Sequence, residues 1–183
     1  MMSYFVYFFI YSFIGFLLES IYTLITKGCF LWKKCFLFNF LCPVYGLAAI
    51  SILFSVRNIR EYKLLSVFVG SIIATVVEFI FHLLYEELLG ISLWDYSDYL
   101  FNIQGRVCIT FTIFWSILSG LLIYVVHPVV KKYTASIPKP FVITIMIFLA
   151  IDAVISIILL KKYGNKNAVN ISWLISNYRY KLH

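Results

Sequence analysis

Runs of about 18 or more nearly uncharged residues recur along this chain, and that feature limits its folds more than any other. One such run could be a buried core helix, but several within 183 residues exceed what a single soluble core could cover. The polar surface for such a core is also missing, because 63% of the residues are hydrophobic and only 13% are charged. The chain therefore reads as an integral, multi-pass protein of the cell membrane. Its expected fold class is all-α, a polytopic transmembrane helical bundle with five spans at about 4–26, 43–56, 64–85, 107–126 and 141–160. Residues 1–163 are expected to form one transmembrane helical domain. Residues 164–183 form a basic tail whose Val169, Trp173 and Ile175 suit it to lie on the membrane surface.

The net charge of +7 does not point to nucleic acid. Lysines and arginines gather at the ends of apolar runs, as in "LLKKYGNKN" and "VVKKYTASIPKP", where they would face lipid headgroups. The lipid bilayer is the expected partner. Cys29, Cys35, Cys42 and Cys108 have no C-x-x-C spacing and no accompanying histidine cluster, so neither a metal nor a cofactor is expected. Residues 28–42, within "KGCFLWKKCFLFNFLC", are too apolar for an ordinary loop and too interrupted for a span. The second span that follows falls short of the roughly 20 residues a crossing needs. A re-entrant or interfacial segment leading in through Pro43 accounts for this, and a longer tilted second helix accounts for it as simply.

Three carboxylates, Glu19, Glu78 and Asp152, fall inside expected spans. Facing lipid at a helix centre, each would cost about 2.5–3.5 kcal/mol. They should therefore face the bundle interior, be paired, or hold a proton. Ser71, Thr75, Glu78, His82 and Glu86 recur at helical spacing along one side of the third span, as do Ser12, Gly15, Glu19, Tyr22 and Thr26 in the first. The fourth span offers Thr112, Ser116, Ser119 and Gly120. Hydroxyl residues alone could serve close helix packing, whereas intramembrane acids point to a pathway, relay or binding site. His82, one turn from Glu78, is either its proton partner or an interfacial histidine. The stretch "LWDYSDYLFNIQGRV", residues 93–107, breaks the apolar sequence. Arg106 there is the natural counter-charge for Glu86, Asp95 and Asp98 in the link from 86 to 106. That link is either a folded polar cap near 87–106 or a solvated loop anchored by Trp94, Tyr96 and Tyr99.

The stretches "FIYSFIGFLLESIY", "LCPVYGLAA", "WDYSDYLFNIQGRVCI" and "HPVV" resemble the ABC-transporter type IV family of bacterial membrane proteins. The matching positions are Glu19 in the first span and Cys42, Pro43, Tyr45 and Gly46 at the start of the second. Glu78 and Glu86 follow, then Trp94, Asp95, Tyr96, Ser97, Asn102, Gly105 and Arg106. The resemblance covers residues 5 to 130 and leaves the fifth span and tail unmatched. Just before Cys42 relatives tend to read R-G-F-L-x-G-P, and this chain departs with "KCFLFNF".

The resemblance implies a membrane subunit of permease type. The sequence contains no G-x-x-x-x-G-K-[ST] phosphate loop, so any ATP hydrolysis would come from a separate ATPase subunit. A homo-oligomer is the other expected assembly. The expected function is a permease-like transport component with Glu19, Glu78, His82, Glu86 and Arg106 as its intramembrane polar site. No catalytic set is recognised, so the chain is not expected to be an enzyme. Two alternatives stand beside this reading. One is a membrane-embedded enzyme on a lipid-like substrate, with Glu78 and His82 as acid and base. The other is a non-catalytic scaffold or sensor whose charges only hold the bundle together.

Overall fold

The computed structural model describes residues 2–28, 40–134 and 137–180. These form α1 (Met2–Lys27), α2 (Pro43–Ser55), α3 (Lys63–Leu89), α4 (Ile109–Leu121), α5 (His127–Thr134), α6 (Lys139–Tyr163) and α7 (Ile171–Tyr180). A π-helical turn over Leu122–Val126 joins α4 and α5 into one rod. Among the described residues four helices are long and apolar enough to cross a membrane: Ser3–Thr26, Lys63–Leu89, Ile109–Thr134 and Lys139–Tyr163. The all-α bundle expected from the apolar runs is present. It differs at the second expected span.

That span is the 13-residue α2, about 20 Å long at 1.5 Å per residue, against a hydrocarbon core of about 30 Å. Pro43 opens it, where a missing N–H costs no helical bond. Its depth follows from its entry: the Cys42 N–H donates to the Ser12 carbonyl at 2.9 Å. Ser12 lies about 24 Å along α1 from Gly28, so the chain enters α2 in the middle of the bundle. Leu41 is buried there, and the Phe40 ring lies 5.4 Å from that of Phe16. The re-entrant reading of residues 28–42 and the cysteines Cys29 and Cys35 fall largely outside the described residues.

The helices pack in sequence order, α1 on α2, α2 on α3, and α3 on α4. Two glycines set the first contact. A Cβ on Gly46 would meet Ser12 Oγ and, at 2.7 Å, the Phe8 carbonyl, while one on Gly15 would run into the Tyr45 side chain. Hydroxyls join α3 to α4: Ser71 donates to the Thr112 carbonyl at 3.0 Å, and Thr75 to Thr112 Oγ1 at 3.1 Å. Ala48, Ile52, Ala74, Trp115 and Ile123 fill the core between them. The α6 helix stands at the edge against α1 and α3, with Asp152 and Ser156 turned inward and hydrogen-bonded one turn apart at 3.2 Å.

The π turn has a local cause. Pro128 has no N–H, and in the π register, where the His127 N–H reaches the Leu122 carbonyl, the next carbonyl, Ile123, loses its donor. The Arg60 guanidinium donates to Ile123 instead, and Tyr124 donates back to the Arg60 carbonyl at 2.8 Å. At the opposite end α3 runs on to Leu89, because no breaker precedes Gly90 with its φ of +66°. Glu86, expected in the link, is therefore in the last turn of α3.

Replacing Gly46 by Val should lower stability in detergent by about 1–3 kcal/mol through overpacking. Gly120→Ala, whose Cβ meets only Val67 at 3.5 Å, should leave the thermal unfolding midpoint nearly unchanged.

Candidate functional site

Glu78 lies on the side of α3 that faces α4 and is only 5% exposed. An acid there needs donors, and two other elements provide them. Trp115 Nε1 of α4 donates to Oε2 at 2.7 Å, and the Tyr96 hydroxyl of the 90–108 link donates to Oε1 at 3.2 Å. Tyr96 is held by stacking on Phe111, ring centres 4.5 Å apart and planes 14° from parallel. Burial, and after it the neighbouring Glu78, push the Tyr96 phenol above its usual value, so it stays protonated and remains a donor.

Glu19 of α1 accepts from the Tyr45 hydroxyl of α2 at 2.9 Å. The Tyr45 and Trp115 rings are 5.3 Å apart, so the two acid–donor pairs abut. Glu19, Tyr45, Glu78, Tyr96 and Trp115 all line one cavity of about 880 Å³. Asp95 and the exposed Lys166 also reach it, from the link and from the turn Lys166–Val169. That turn is fixed to the bundle by Ala168 and Val169, which pack with Ile91 and Leu160.

A second cluster forms beside this chamber. Arg106 Nε and Nη2 both donate to one oxygen, Glu86 Oε2, at 2.9 and 2.6 Å. Its third donor goes to Gln104, and its guanidinium lies 5.6 Å from the centre of the Phe79 ring. His82 is 3% exposed, with Nε2 2.9 Å from the Trp94 carbonyl and Nδ1 3.8 Å from Glu86 Oε2. Trp94 packs on the His82 ring and donates through Nε1 to the Arg106 carbonyl at 2.8 Å.

The rest of the link folds on itself. Asp95 Oδ1 accepts from the Ser97 hydroxyl at 2.6 Å and the Ser97 N–H at 2.9 Å, which holds its carboxyl below the usual aspartate range. Asn102 Nδ2 donates to the Ser97 and Tyr99 carbonyls, and Asn102 Oδ1 accepts from the Gly105 N–H at 3.1 Å. Gly105 has φ +67°, and a Cβ would meet Asp95 Oδ1 and Ser97 Oγ, each at 2.8 Å. Only glycine fits there.

A family model described as "Putative ABC-transporter type IV" matches residues 6–159. The chain belongs to this family. Its match runs through most of α6, past residue 130 where the motif resemblance stops. No curated protein and no solved structure matches the chain. Together with the four long apolar helices, the family makes this a membrane protein of a transport-related kind.

The five ionisable residues singled out from the sequence thus divide. Glu19 and Glu78 share the chamber, while His82, Glu86 and Arg106 form the neighbouring cluster. His82 is hydrogen-bonded to the Trp94 carbonyl and the Ser92 hydroxyl at the link, on the side of Glu86. Arg106 pairs with Glu86, whereas Asp95 is taken by Ser97 and Asp98 is exposed. Sequence reading missed Trp115, although it stands three residues after Thr112 and four before Ser119, on the same helical side. It also missed Lys166 and the Tyr11–His127 hydrogen bond of 2.7 Å, which no spacing announces.

Arg106→Ala should leave Glu86 unpaired and loosen the link, with cleavage of 90–108 in limited proteolysis faster by up to about tenfold. Arg106→Lys should restore little, because one ammonium cannot replace the fork to Glu86 and Gln104. The Asp95 turn has a pH sign of its own: a depressed folded pKa contributes stability above the unfolded value of about 3.9, lost as pH falls through the folded one. The protection factor of the Ser97 amide against hydrogen exchange should therefore hold at neutral pH and fall only in acid.

Proposed function

We propose that the chain is a permease-like transport component whose substrate site is the chamber between α1, α2, α3 and α4. One observation carries the reading: two carboxylates from separate spans open on a single cavity, each already oriented by a hydrogen-bond donor from a third element. Intramembrane acids of this kind mark pathways and binding sites, and about 880 Å³ is within the range of small-molecule pockets. The 90–108 link, clamped by Glu86–Arg106, would act as a lid over the chamber. Energy would come from a separate ATPase subunit, since this sequence has no phosphate loop.

The enzyme alternative draws less support, because its proposed pair is not aligned. His82 bonds the Trp94 carbonyl while Glu78 bonds Trp115 and Tyr96.

Purification of the tagged protein from its native membrane in mild detergent should bring a stoichiometric ATPase subunit with it. Glu78→Gln should keep that partner and the folded state while abolishing uptake in reconstituted vesicles. Retained uptake would reduce Glu78 to a structural role, and recovery of the protein alone would remove the ATP-driven reading.

A further inference from the structure

One end of the bundle is strongly basic. The α2 helix runs back along α1, with Tyr45 against Gly15 and Gly46 against Phe8, so it ends where α1 begins. The α3 helix starts there, and the rod of α4 and α5 ends there. Arg57, Arg60, Lys63, Lys131, Lys132 and Lys139 all lie at this end. The chain has eight acidic residues, every one within the described segments, and Glu61 is the one that joins these cations. Exposed Tyr62 and Tyr133 put the end at the level of lipid headgroups.

Within this end three groups are drawn together. The Ile123 carbonyl takes the Arg60 guanidinium, and His127 and Lys131 follow Ile123 at successive steps of four on one side of the rod. The Arg60 and Lys131 charges both act on His127. Tyr11 of α1 is hydrogen-bonded to His127 Nδ1 at 2.7 Å, and Tyr7 packs edge-on to that ring, centres 5.0 Å apart. With Tyr11 donating to Nδ1, the hydrogen of the neutral ring is on Nε2, a further donor at this point. Other cations are turned elsewhere: Arg57 lies 4.5 Å over the Phe54 ring, and Lys132 6.0 Å from that of Tyr133. Among the described residues Arg60, His127 and Lys131 enter no ion pair, so the three stand together without an anion.

Next to them an apolar groove of about 170 Å³ runs between α1 and the rod. Ile14, Gly15 and Leu18 line one side, and Leu118, Leu122 and Val126 the other. The Tyr11–His127 bond stands at its basic end, and half-exposed Leu121 leaves it open toward hydrocarbon. From Leu118 to Val126 it follows the rod for about 12 Å. An anion that carries its own hydrocarbon chain suits both the end and the wall, whereas a free phosphate would use the end alone.

We infer that this end of the bundle holds one anionic phospholipid, its phosphate at Arg60, His127 and Lys131 and an acyl chain in the groove between α1 and α4. Such a lipid would sit there whatever the chamber carries. It would tie the turn before α3 to α5 and α1 where the rod changes register.

The probe is dioleoylphosphatidylglycerol, titrated into the delipidated full chain in detergent and followed by native mass spectrometry. Dioleoylphosphatidylcholine is the match with the same chains and no net charge. One saturable phosphatidylglycerol per protein is expected, bound at least about tenfold tighter than phosphatidylcholine, the effect of one charge-assisted contact. Lys131→Gln, an exposed change that threatens no packing, should weaken it by about fivefold, whereas Lys161→Gln at the other end should not. Val126→Trp, which narrows the groove, should weaken it as well. Equal affinity for the two lipids, or no effect of Lys131→Gln, would overturn the site. Unchanged binding to Val126→Trp, or displacement of the lipid by an equal concentration of glycerol phosphate, would overturn the place of the chain. Release of a co-purifying protein by Lys131→Gln, with phosphatidylglycerol binding unchanged, would make this end a protein dock instead.

Discussion

A carboxyl group in the middle of a membrane-spanning helix must be hydrogen-bonded, and much of this molecule is arranged around how Glu78 meets that demand. Its two oxygens accept from Trp115 on α4 and Tyr96 in the link, so one side chain ties α3 to the next span and to the segment that joins them. Tyr96 can reach inward only because the link folds over the end of the bundle, and Trp115 only because α3 and α4 are already locked by Ser71, Thr75 and Thr112. The acid is thus an organiser of packing and, by the same geometry, a group presented to a cavity. Removing its donors would leave a buried acid uncompensated, which is why the surrounding residues are aromatic donors and not plain hydrocarbon.

The same rule governs the backbone. Hydrocarbon offers no water to a free N–H or C=O, so every break in a helix must be repaired from within. Two such breaks lie among the described residues. At mid-depth the chain enters α2 with the Cys42 N–H on the Ser12 carbonyl, a bond made possible by the close approach of α1 and α2 at Gly15 and Gly46. At the π turn, Pro128 removes a donor and Arg60 replaces it. A half-length helix and a register shift, both unfavourable alone, are tolerated because each exposes its polar groups to protein. The half-length α2 has a further effect: with Val44 and Tyr45 it lines the chamber between the longer helices.

The polar residues of the link divide their work by position. Asp95, Ser97, Asn102 and Gly105 satisfy one another and give the link its shape. Glu86, Arg106, His82 and Trp94 fasten that shape to the end of α3. Tyr96 reaches from the link into the chamber and donates a hydrogen bond to its acid. A stretch that reads as a single polar interruption in the sequence is therefore a fold, a clamp and a contact.

Sequence alone determined the membrane class, the all-α bundle and the inward direction of Glu78 and Asp152, because hydrocarbon leaves a chain of this composition no cheaper arrangement. The helical spacing of Ser71, Glu78 and His82 was enough to place them on one side of α3. Spacing could not say which helix would lie against that side. Tertiary structure decided that Glu78 meets Trp115 while His82 meets the Trp94 carbonyl, and that Arg106 takes Glu86 in preference to Asp95 or Asp98. It also placed α2 at half depth and brought Lys166 to the chamber from far along the chain. These outcomes depend on how separate helices dock and on the glycines that let them approach. Periodicity within one helix carries no record of its neighbour.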